Sequence, residues 1–228
     1  MSLLVRTWNV FHGNTSPPER AGHLEEMVRL ATEDEPDVLC LQEVPVWALR
    51  HLGGWSGMQS FGAVAARPRL GSAELGHLIT ELNYGLFRSA FTGQANAILL
   101  ARGLRVVDHR VREIHRHERR ICQAVRLDGG VVVGNLHASG ERHHGRQEEL
   151  DRAVALVDGL DGRITILAGD FNMQPVLDGF TPIGPAIDHI VVRGADAGAF
   201  SVWPIERRTV EGRVLSDHAP VEVDVDVR

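Results

Sequence analysis

The stretch Ile164-Thr165-Ile166-Leu167-Ala168-Gly169-Asp170-Phe171-Asn172 decides how the rest of the chain is read. Ile164, Ile166, Leu167 and Ala168 are apolar and the isoleucines are β-branched, which is the composition of a buried strand. Gly169 lets the backbone turn or approach a ligand closely. Asp170 and Asn172 follow at the place where an α/β sheet opens its binding crevice, just past a strand's carboxyl end. Alternation along an extended backbone would point both side chains the same way. One is an anionic oxygen ligand and the other an amide that donates and accepts, a pair suited to a hydrated metal ion and a phosphate. The same residues also fit an Asx turn that ends a strand. The surrounding chain has to decide between these readings.

Upstream, Val131–Leu136 reads as a strand ending at His137, and His143–Val157 as a helix. Leu150, Ala153/Val154 and Val157 form the helix's apolar stripe, with Gly159 as terminator. A similar strand–helix–strand unit opens the chain. Leu3–Trp8 is a strand with Asn9 at its end. Ser16-Pro17-Pro18-Glu19 predicts a helix start, Ser16 as N-cap and Glu19 closing a capping box, with the helix running to about Glu33. Asp37–Leu41 is the next strand, with Gln42-Glu43 at its end. A short helix over Val46–Leu52, stopped by Gly53-Gly54, precedes a strand at Ser60–Ala66. Asn96–Ala101, Arg105–Ile114 and Ile121–Leu127 are further strands. Downstream come strands at Ala186–Val192, holding Asp188, and at Ser201–Pro204. Ser216-Asp217-His218-Ala219-Pro220 leads into a last strand at Val221–Val227. Asn9, Glu43, His137, Asp170 and Asn172 then share one rim of a sheet, or of two packed sheets.

Between Ser60–Ala66 and Asn96–Ala101 lies Arg67–Gln94, punctuated by Gly71, Gly76, Gly85 and Gly93, with helical spacing only near Ala73–Leu82. A segment this irregular reads as a surface excursion forming one wall of a cleft, with Arg67, Arg69 and Arg88 available for a remote phosphate.

Composition narrows the chemistry. With 228 residues, 43% hydrophobic and 24% charged, the chain reads as a single globular domain spanning 1–228. All 24 basic residues are Arg, so lysine nucleophiles, Schiff bases and a P-loop are excluded. Cationic contacts to substrate must come from Arg or His. The net charge of −6 is uneven: Arg102–Arg126 carries eight Arg against Asp108, Glu113 and Glu118, or +5, which leaves −11 elsewhere. That segment reads as a solvated strand pair with charged gatekeepers, or as a basic rim for a phosphate-bearing substrate. No run is apolar enough to span a bilayer, and Met1–Asn9 lacks the form of a signal peptide. Cys40 and Cys122 are the only cysteines and are expected as reduced thiols in a cytoplasmic, monomeric protein.

Taken singly, each rim residue has a structural alternative. Glu43 could start a helix near Pro45, His137 could be a core histidine, Asp217 a turn residue, and Asp188 a partner of Arg193. Their recurrence at strand ends favours chemistry. Carboxylates with an Asn make a hard, oxygen-rich site for Mg²⁺ or Mn²⁺. Two histidines beside it offer proton transfer near neutral pH. A zinc site from His109, His115, His117 and Cys122 has spacing unlike structural zinc patterns.

Trp8-Asn9-Val10, Leu41-Gln42-Glu43, Asn135-Leu136-His137, Gly169-Asp170-Phe171-Asn172, Asp188-His189-Ile190 and Ser216-Asp217-His218-Ala219-Pro220-Val221 resemble, in order, the motifs of the endonuclease/exonuclease/phosphatase superfamily. That group includes DNase I, exonuclease III-type abasic endonucleases, neutral sphingomyelinases and inositol polyphosphate 5-phosphatases. Asn96-Ala97-Ile98-Leu99 resembles its central strand and Arg146-Gln147 the start of its second helix. The resemblance implies a four-layer αββα sandwich of two mixed β-sheets flanked by helices, and Mg²⁺-dependent phosphoester hydrolysis. It implies Glu43 as principal metal ligand, with Asn9 and Asp217 nearby. It makes His218 and Asp188 a dyad, gives the attacking water to Asp170, and has Asn172 and His137 donate to the scissile phosphate.

Departures refine the match. The abasic-endonuclease subgroup has an acidic residue two places after its Asn and a Tyr in place of the His; here those positions are Phe11 and His137. The chain leans toward DNase I-like and sphingomyelinase-like members, which pair that His with a Glu of a middle strand; Glu74 and Glu81 are the candidates. The lysine-bearing substrate motifs of the 5-phosphatases are absent. The favoured function is a phosphodiesterase, nuclease-like in chemistry, with nucleic acid among its candidate partners. The alternatives are a phosphomonoesterase or phospholipase C-type hydrolase of a small phosphoester or lipid headgroup, and a non-catalytic binding module that kept the fold.

Overall fold

Two parallel strand–helix–strand units organise the fold, seen in a computed structural model that describes residues 1–19, 21–68, 92–140 and 145–228. The first comprises β1 (Ser2–Asn9), the short β2 (Thr15–Ser16), α1 (Leu24–Thr32) and β3 (Val38–Val44). Next come α2 (Leu52–Ser56), β4 (Gln59–Ala66), β5 (Gln94–Leu100), β6 (Val106–His115) and β7 (Arg120–Leu127). The second unit is β8 (Val131–His137), α3 (Arg146–Asp158) and β9 (Ile164–Asp170). It is followed by β10 (Thr181–Ile183), β11 (Asp188–Arg193), β12 (Asp196–Ala197), β13 (Ser201–Val202), β14 (Thr209–Val210), β15 (Arg213–Leu215) and β16 (Val221–Asp226).

One sheet has the order β12-β16-β1-β3-β5-β4, with β13 also on β16; the other has the order β10-β11-β9-β8-β7-β6. Within them β1 and β3, and β8 and β9, run parallel. Strand alternation divides each strand between two cores. Val5, Val38, Cys40 and Ile98 of the first sheet pack against Val125, Val133, Ile166 and Ile190 of the second. On the outer faces, Leu39, Leu41 and Leu99 meet Met27, Val28 and Ala31 of α1, while Val132, Leu136 and Leu167 meet Leu150, Ala153 and Val157 of α3. The layers are therefore helix, sheet, sheet, helix, as the motif resemblance implies.

The predicted first helix start is wrong. Thr15 and Ser16 form a strand pairing with Leu215 and Val214, and the Glu19 carboxylate meets Arg213 at 2.8 Å. The capping-box residues are thus taken up by a small third sheet, β14-β15-β2, and α1 starts at Leu24 with Glu25 and Glu26 in its first turn. Gly53-Gly54 lies inside α2 and does not terminate a helix; a 3-10 turn over Val46–Arg50 precedes it. The expected helix near Ala73–Leu82 lies outside the described residues.

Candidate active site

Every strand end that the motifs occupy faces the same end of the sandwich. There β1, β3, β8 and β9 finish, and β5, β7, β11 and β16 begin. His137, Asp170 and Asp188 are register neighbours across the second sheet, and Asn9 sits beside Gln42 in the first.

Asp170 is the hub. Gly169 before it has φ 146°, and a Cβ there would lie 1.9 Å from the Leu136 carbonyl, so only glycine lets β9 lie this close to β8. Asn9 Nδ2 donates to Asp170 Oδ2 at 3.0 Å and the Asn172 backbone N–H donates to Oδ1 at 3.0 Å. The second bond is an Asx turn, and Asn172 has φ 52°. Alternation on an extended strand therefore does not present Asp170 and Asn172; the turn does. Asp170 is 2% exposed. Burial, then the neighbouring Asp188 charge, pushes its pKa up to about 6 against the pull of His218, Asn9 and Asn172.

His218 Nδ1 and Asp188 Oδ2 are 2.8 Å apart, and His218 Nε2 points toward Asp170 Oδ2 at 3.9 Å. The loop holding His218 is tied to the end of β1. Ser216 Oγ donates to the Asn9 carbonyl at 2.7 Å and accepts the His218 N–H at 3.1 Å, while Trp8 Nε1 donates to the His218 carbonyl at 3.0 Å. Burial opposes charge on the ring, but the Asp188 hydrogen bond and the charges of Asp188, Asp170 and Asp217 prevail and raise its pKa to about 9. Asp217 itself is exposed, 3.5 Å from Ser216 Oγ. Arg193 pairs with Asp158, so Asp188 is not a surface ion-pair residue.

Glu43 reaches the rim through a bulge. The register of β3 on β5 slips between Leu41 and Val44, and Glu43 has φ 55°. Its Oε2 lies 3.2 Å from His12 Nε2 and its Oε1 3.8 Å from His137 Nε2. Burial works against its charge, yet the contact with His12 and the Arg120 charge hold its carboxyl below the usual range. His137 Nε2 also lies 3.5 Å from Asp170 Oδ2, and Nδ1 lies 2.9 Å from both Gln94 Nε2 and Arg120 Nη1. Burial first, then the Arg120 charge, lowers its pKa to about 3, so the ring is neutral at physiological pH.

His12, Gln94 and Arg120 are site residues that sequence reasoning missed. Arg120 was within reach: folding the hairpin about Asp128-Gly129-Gly130 brings Ile121 level with His137, and Arg120 is the next residue along the same strand end. Gln94 opens β5 at the same rim. His12 carries no such signal, because a 3-10 turn with φ 55° brings it there. Arg67 is exposed just past β4; Arg69, Arg88, Glu74 and Glu81 lie outside the described residues. The histidines considered for zinc do not gather: His109 packs on Phe61, His115 on His117, and Cys122 is a buried thiol whose pKa burial raises to about 12.

The donors fit a hard divalent cation. Among the described residues, Asp170, Asp188 and His218 gather with one ligand-type atom each within 4.8 Å of the others. The hard donors among them are the two carboxylates, since the protonated His218 ring is committed to Asp188, and buried Asp188 Oδ1 has no hydrogen-bond partner. The Glu43 carboxylate adds oxygens at the same rim, while Asn9 turns its Nδ2 to Asp170 and its Oδ1 accepts the Phe11 N–H at 3.0 Å. A groove of about 750 Å³ outside α1, lined by Glu25, Glu26, Leu30 and Trp55, shares no residue with this cluster.

With this geometry in place, the sequence matches the Endonuclease/Exonuclease/phosphatase family over residues 7–218. The chain belongs to that family. As a member of the endonuclease/exonuclease/phosphatase family it is a phosphoester hydrolase. None of the curated protein sequences matches the chain. Among solved structures it is similar to truncated TDP2 from Caenorhabditis elegans, at 17% identity and TM-score 0.69, covering 99% of this chain and 98% of that one. It is also similar to a mannosyl-6-phosphatase from Bacteroides thetaiotaomicron, at 16% identity and TM-score 0.72, covering 98% and 99%. A family protein from Beutenbergia cavernae matches at 17% identity and TM-score 0.70, covering 98% of this chain and 71% of its own.

Proposed function

We propose that the enzyme hydrolyses phosphodiester bonds with Mg²⁺ or Mn²⁺, in a nuclease-like reaction. The observation that carries this reading is the line Asp188–His218–Asp170–Asn9 running into the Glu43–His137 pair, all at one rim. A phosphodiester is anionic, so its hydrolysis needs charge neutralisation and an aligned water more than covalent chemistry. A bound cation supplies part of that neutralisation. Glu43 and Asn9 hold it, with Asp217 alongside. Asp170, ionised, orients the attacking water and takes its proton. His218, protonated and held by Asp188, faces the developing charge. Asn172 and the neutral His137 donate hydrogen bonds to the phosphate oxygens. Arg67, Arg69 and Arg88 contact a more remote phosphate. Buried, unpaired Cys40 and Cys122 agree with a reducing, cytoplasmic setting, where we take the enzyme to act as a monomer.

A second reading, hydrolysis of a small phosphomonoester, is favoured by the likeness to the mannosyl-6-phosphatase. A panel of plasmid, single-stranded oligonucleotide, sphingomyelin, inositol phosphates, mannose 6-phosphate and bis-p-nitrophenyl phosphate, each with Mg²⁺, Mn²⁺ or EDTA, separates the two. Diester turnover that EDTA abolishes is the expected result. Turnover of monoesters alone would overturn the diesterase assignment in favour of the second reading.

A further inference from the structure

Glu149 is a fully buried carboxylate with no place in the chemistry above. Removing an acidic side chain from water is costly unless its oxygens do something that an apolar residue cannot. Its Oε2 accepts the Ser139 backbone N–H at 2.8 Å. The carbonyl of that same peptide group, Ala138 C=O, accepts Asn172 Nδ2 at 3.1 Å. Three residues earlier on α3, Arg146 Nη1 donates to the Asn172 carbonyl. Residues at i and i+3 share a helix face, so one turn of α3 grips Asn172 at its backbone and, through one peptide, at its side chain. Asn172 needs such a grip, because its φ of 52° is one that a non-glycine residue holds only when its surroundings fix it.

We propose that Arg146 and Glu149 are positioning residues that aim the Asn172 amide at the substrate. The proposal rests on the reading that Asn172 donates to the scissile phosphate. With one Nδ2 hydrogen committed to Ala138 and the Asn172 backbone N–H committed to Asp170 Oδ1, the second Nδ2 hydrogen is the one left for a phosphate oxygen. A carboxylate acceptor on Ser139 N–H polarises the peptide and strengthens Ala138 C=O as the amide's anchor. Asn172 therefore enters the reaction already oriented and pays no ordering cost when substrate arrives.

The test uses the full chain with Mg²⁺ and bis-p-nitrophenyl phosphate. Glu149→Leu removes the acceptor at similar volume. It should lower kcat about 10- to 100-fold with KM within about twofold, since a donor misaimed in the transition state is lost to turnover and not to binding. Glu149→Gln keeps an acceptor for Ser139 N–H and should return kcat to within about threefold of wild type. The Asn172 side-chain amide resonances, identified by their loss in Asn172→Ala, should shift in Glu149→Leu and in Arg146→Met but stay near their wild-type positions in Glu149→Gln. Unchanged kcat in folded Glu149→Leu, or equal losses in the Leu and Gln variants, would overturn the proposal. If Glu149→Leu fails to fold, Arg146→Met decides, and unmoved Asn172 amide resonances there count against the inference. Wild-type inactivity on the diester would sink the proposed function, while the resonances would still report whether α3 holds Asn172.

Discussion

Asp170 and His218 have their protons pushed in ways that suit opposite roles. Asp170 titrates at about 6 because it is buried beside Asp188, and His218 at about 9 because Asp188 and its acidic neighbours outweigh its burial. A base that must be ionised and an acid that must be protonated give a bell-shaped kcat/KM profile with limbs near about pH 6 and about pH 9, belonging to the coupled cluster. His218→Ala should lower turnover by roughly two orders of magnitude and erase the alkaline limb. Asp188→Asn should cost less, about tenfold, and move that limb toward lower pH, because the ring loses its charged partner; a profile identical to wild type would end the dyad assignment. Asp170 also carries a stability signature. Its folded pKa is raised above the ordinary 3.8, so the folded state holds this proton more tightly than the unfolded chain. Its contribution is most favourable below about pH 4 and is lost as pH rises through about 6. Asp170→Asn cannot ionise. Its melting temperature relative to wild type should therefore climb across that interval and level off above it, by an amount equivalent to about 2–3 kcal/mol, while activity disappears. A difference that stays flat with pH would mean that Asp170 is not strained by its charge. If Glu43 holds the cation as proposed, Glu43→Gln should remove most metal-dependent turnover while leaving the fold intact, since the charged oxygen donor is neutralised. Near-normal rates at limiting Mg²⁺ would point to another ligand.

At the scale of elements, the strands were readable wherever burial dictated apolar composition, and the misses fall where backbone conformation or a distant strand intervenes. Ile164–Asp170 and its partner strand follow from β-branched runs, and α1 and α3 from their apolar stripes. Ser16-Pro17-Pro18-Glu19 has a helix-start composition, yet β15, two hundred residues downstream, claims it for a sheet. Local sequence has no access to that competitor. Glu43, Asn172 and Ser216 all reach the rim through positive φ, which Glu and Ser in particular do not advertise. Glycines make the contrast testable. Gly169→Ala would drive a Cβ to 1.9 Å from the Leu136 carbonyl on a paired strand, and should cost about 4 kcal/mol or more in urea unfolding or prevent folding outright. Gly54→Ala, in α2 with nothing within 4 Å of the added carbon, should be neutral or stabilise by about 0.5–1 kcal/mol. Comparable losses at both positions would show that backbone approach at β8–β9 is not what reserves residue 169 for glycine.

For the whole molecule, the order of the motifs along the chain was enough to bring two sheets' worth of strand ends to one rim, because a motif at a strand's end carries its sheet position with it. Residues that complete the rim from the starts of strands, such as Gln94 and Arg120, belong to no motif and became visible only through pairing. Substrate choice is the property that remains to be assigned to a part of the molecule, and the geometry narrows where it lies. Arg67 and Pro68 leave from the end of β4, and the chain returns at Thr92, with Gly93 packed so closely on Ala66 and Pro68 that a Cβ would stand 2.5 Å from the Ala66 carbonyl. The next residue, Gln94, touches His137 at 2.9 Å. Both ends of the Arg67–Gln94 segment are therefore rooted beside the catalytic rim and not on the far side of the sandwich. Under the proposed function, Arg67, Arg69 and Arg88 would meet the part of a substrate that extends beyond the scissile phosphate. Replacing Arg67 and Arg69 together with Ala, and Arg88 separately, should leave turnover of bis-p-nitrophenyl phosphate near wild type, since that diester is too small to reach past the rim. On the best substrate from the phosphoester panel, KM should rise about tenfold at constant kcat, the signature of binding energy spent equally on ground and transition states. Equal losses on both substrates would move these arginines into the catalytic apparatus, and no loss on either would leave the segment without a part in recognition.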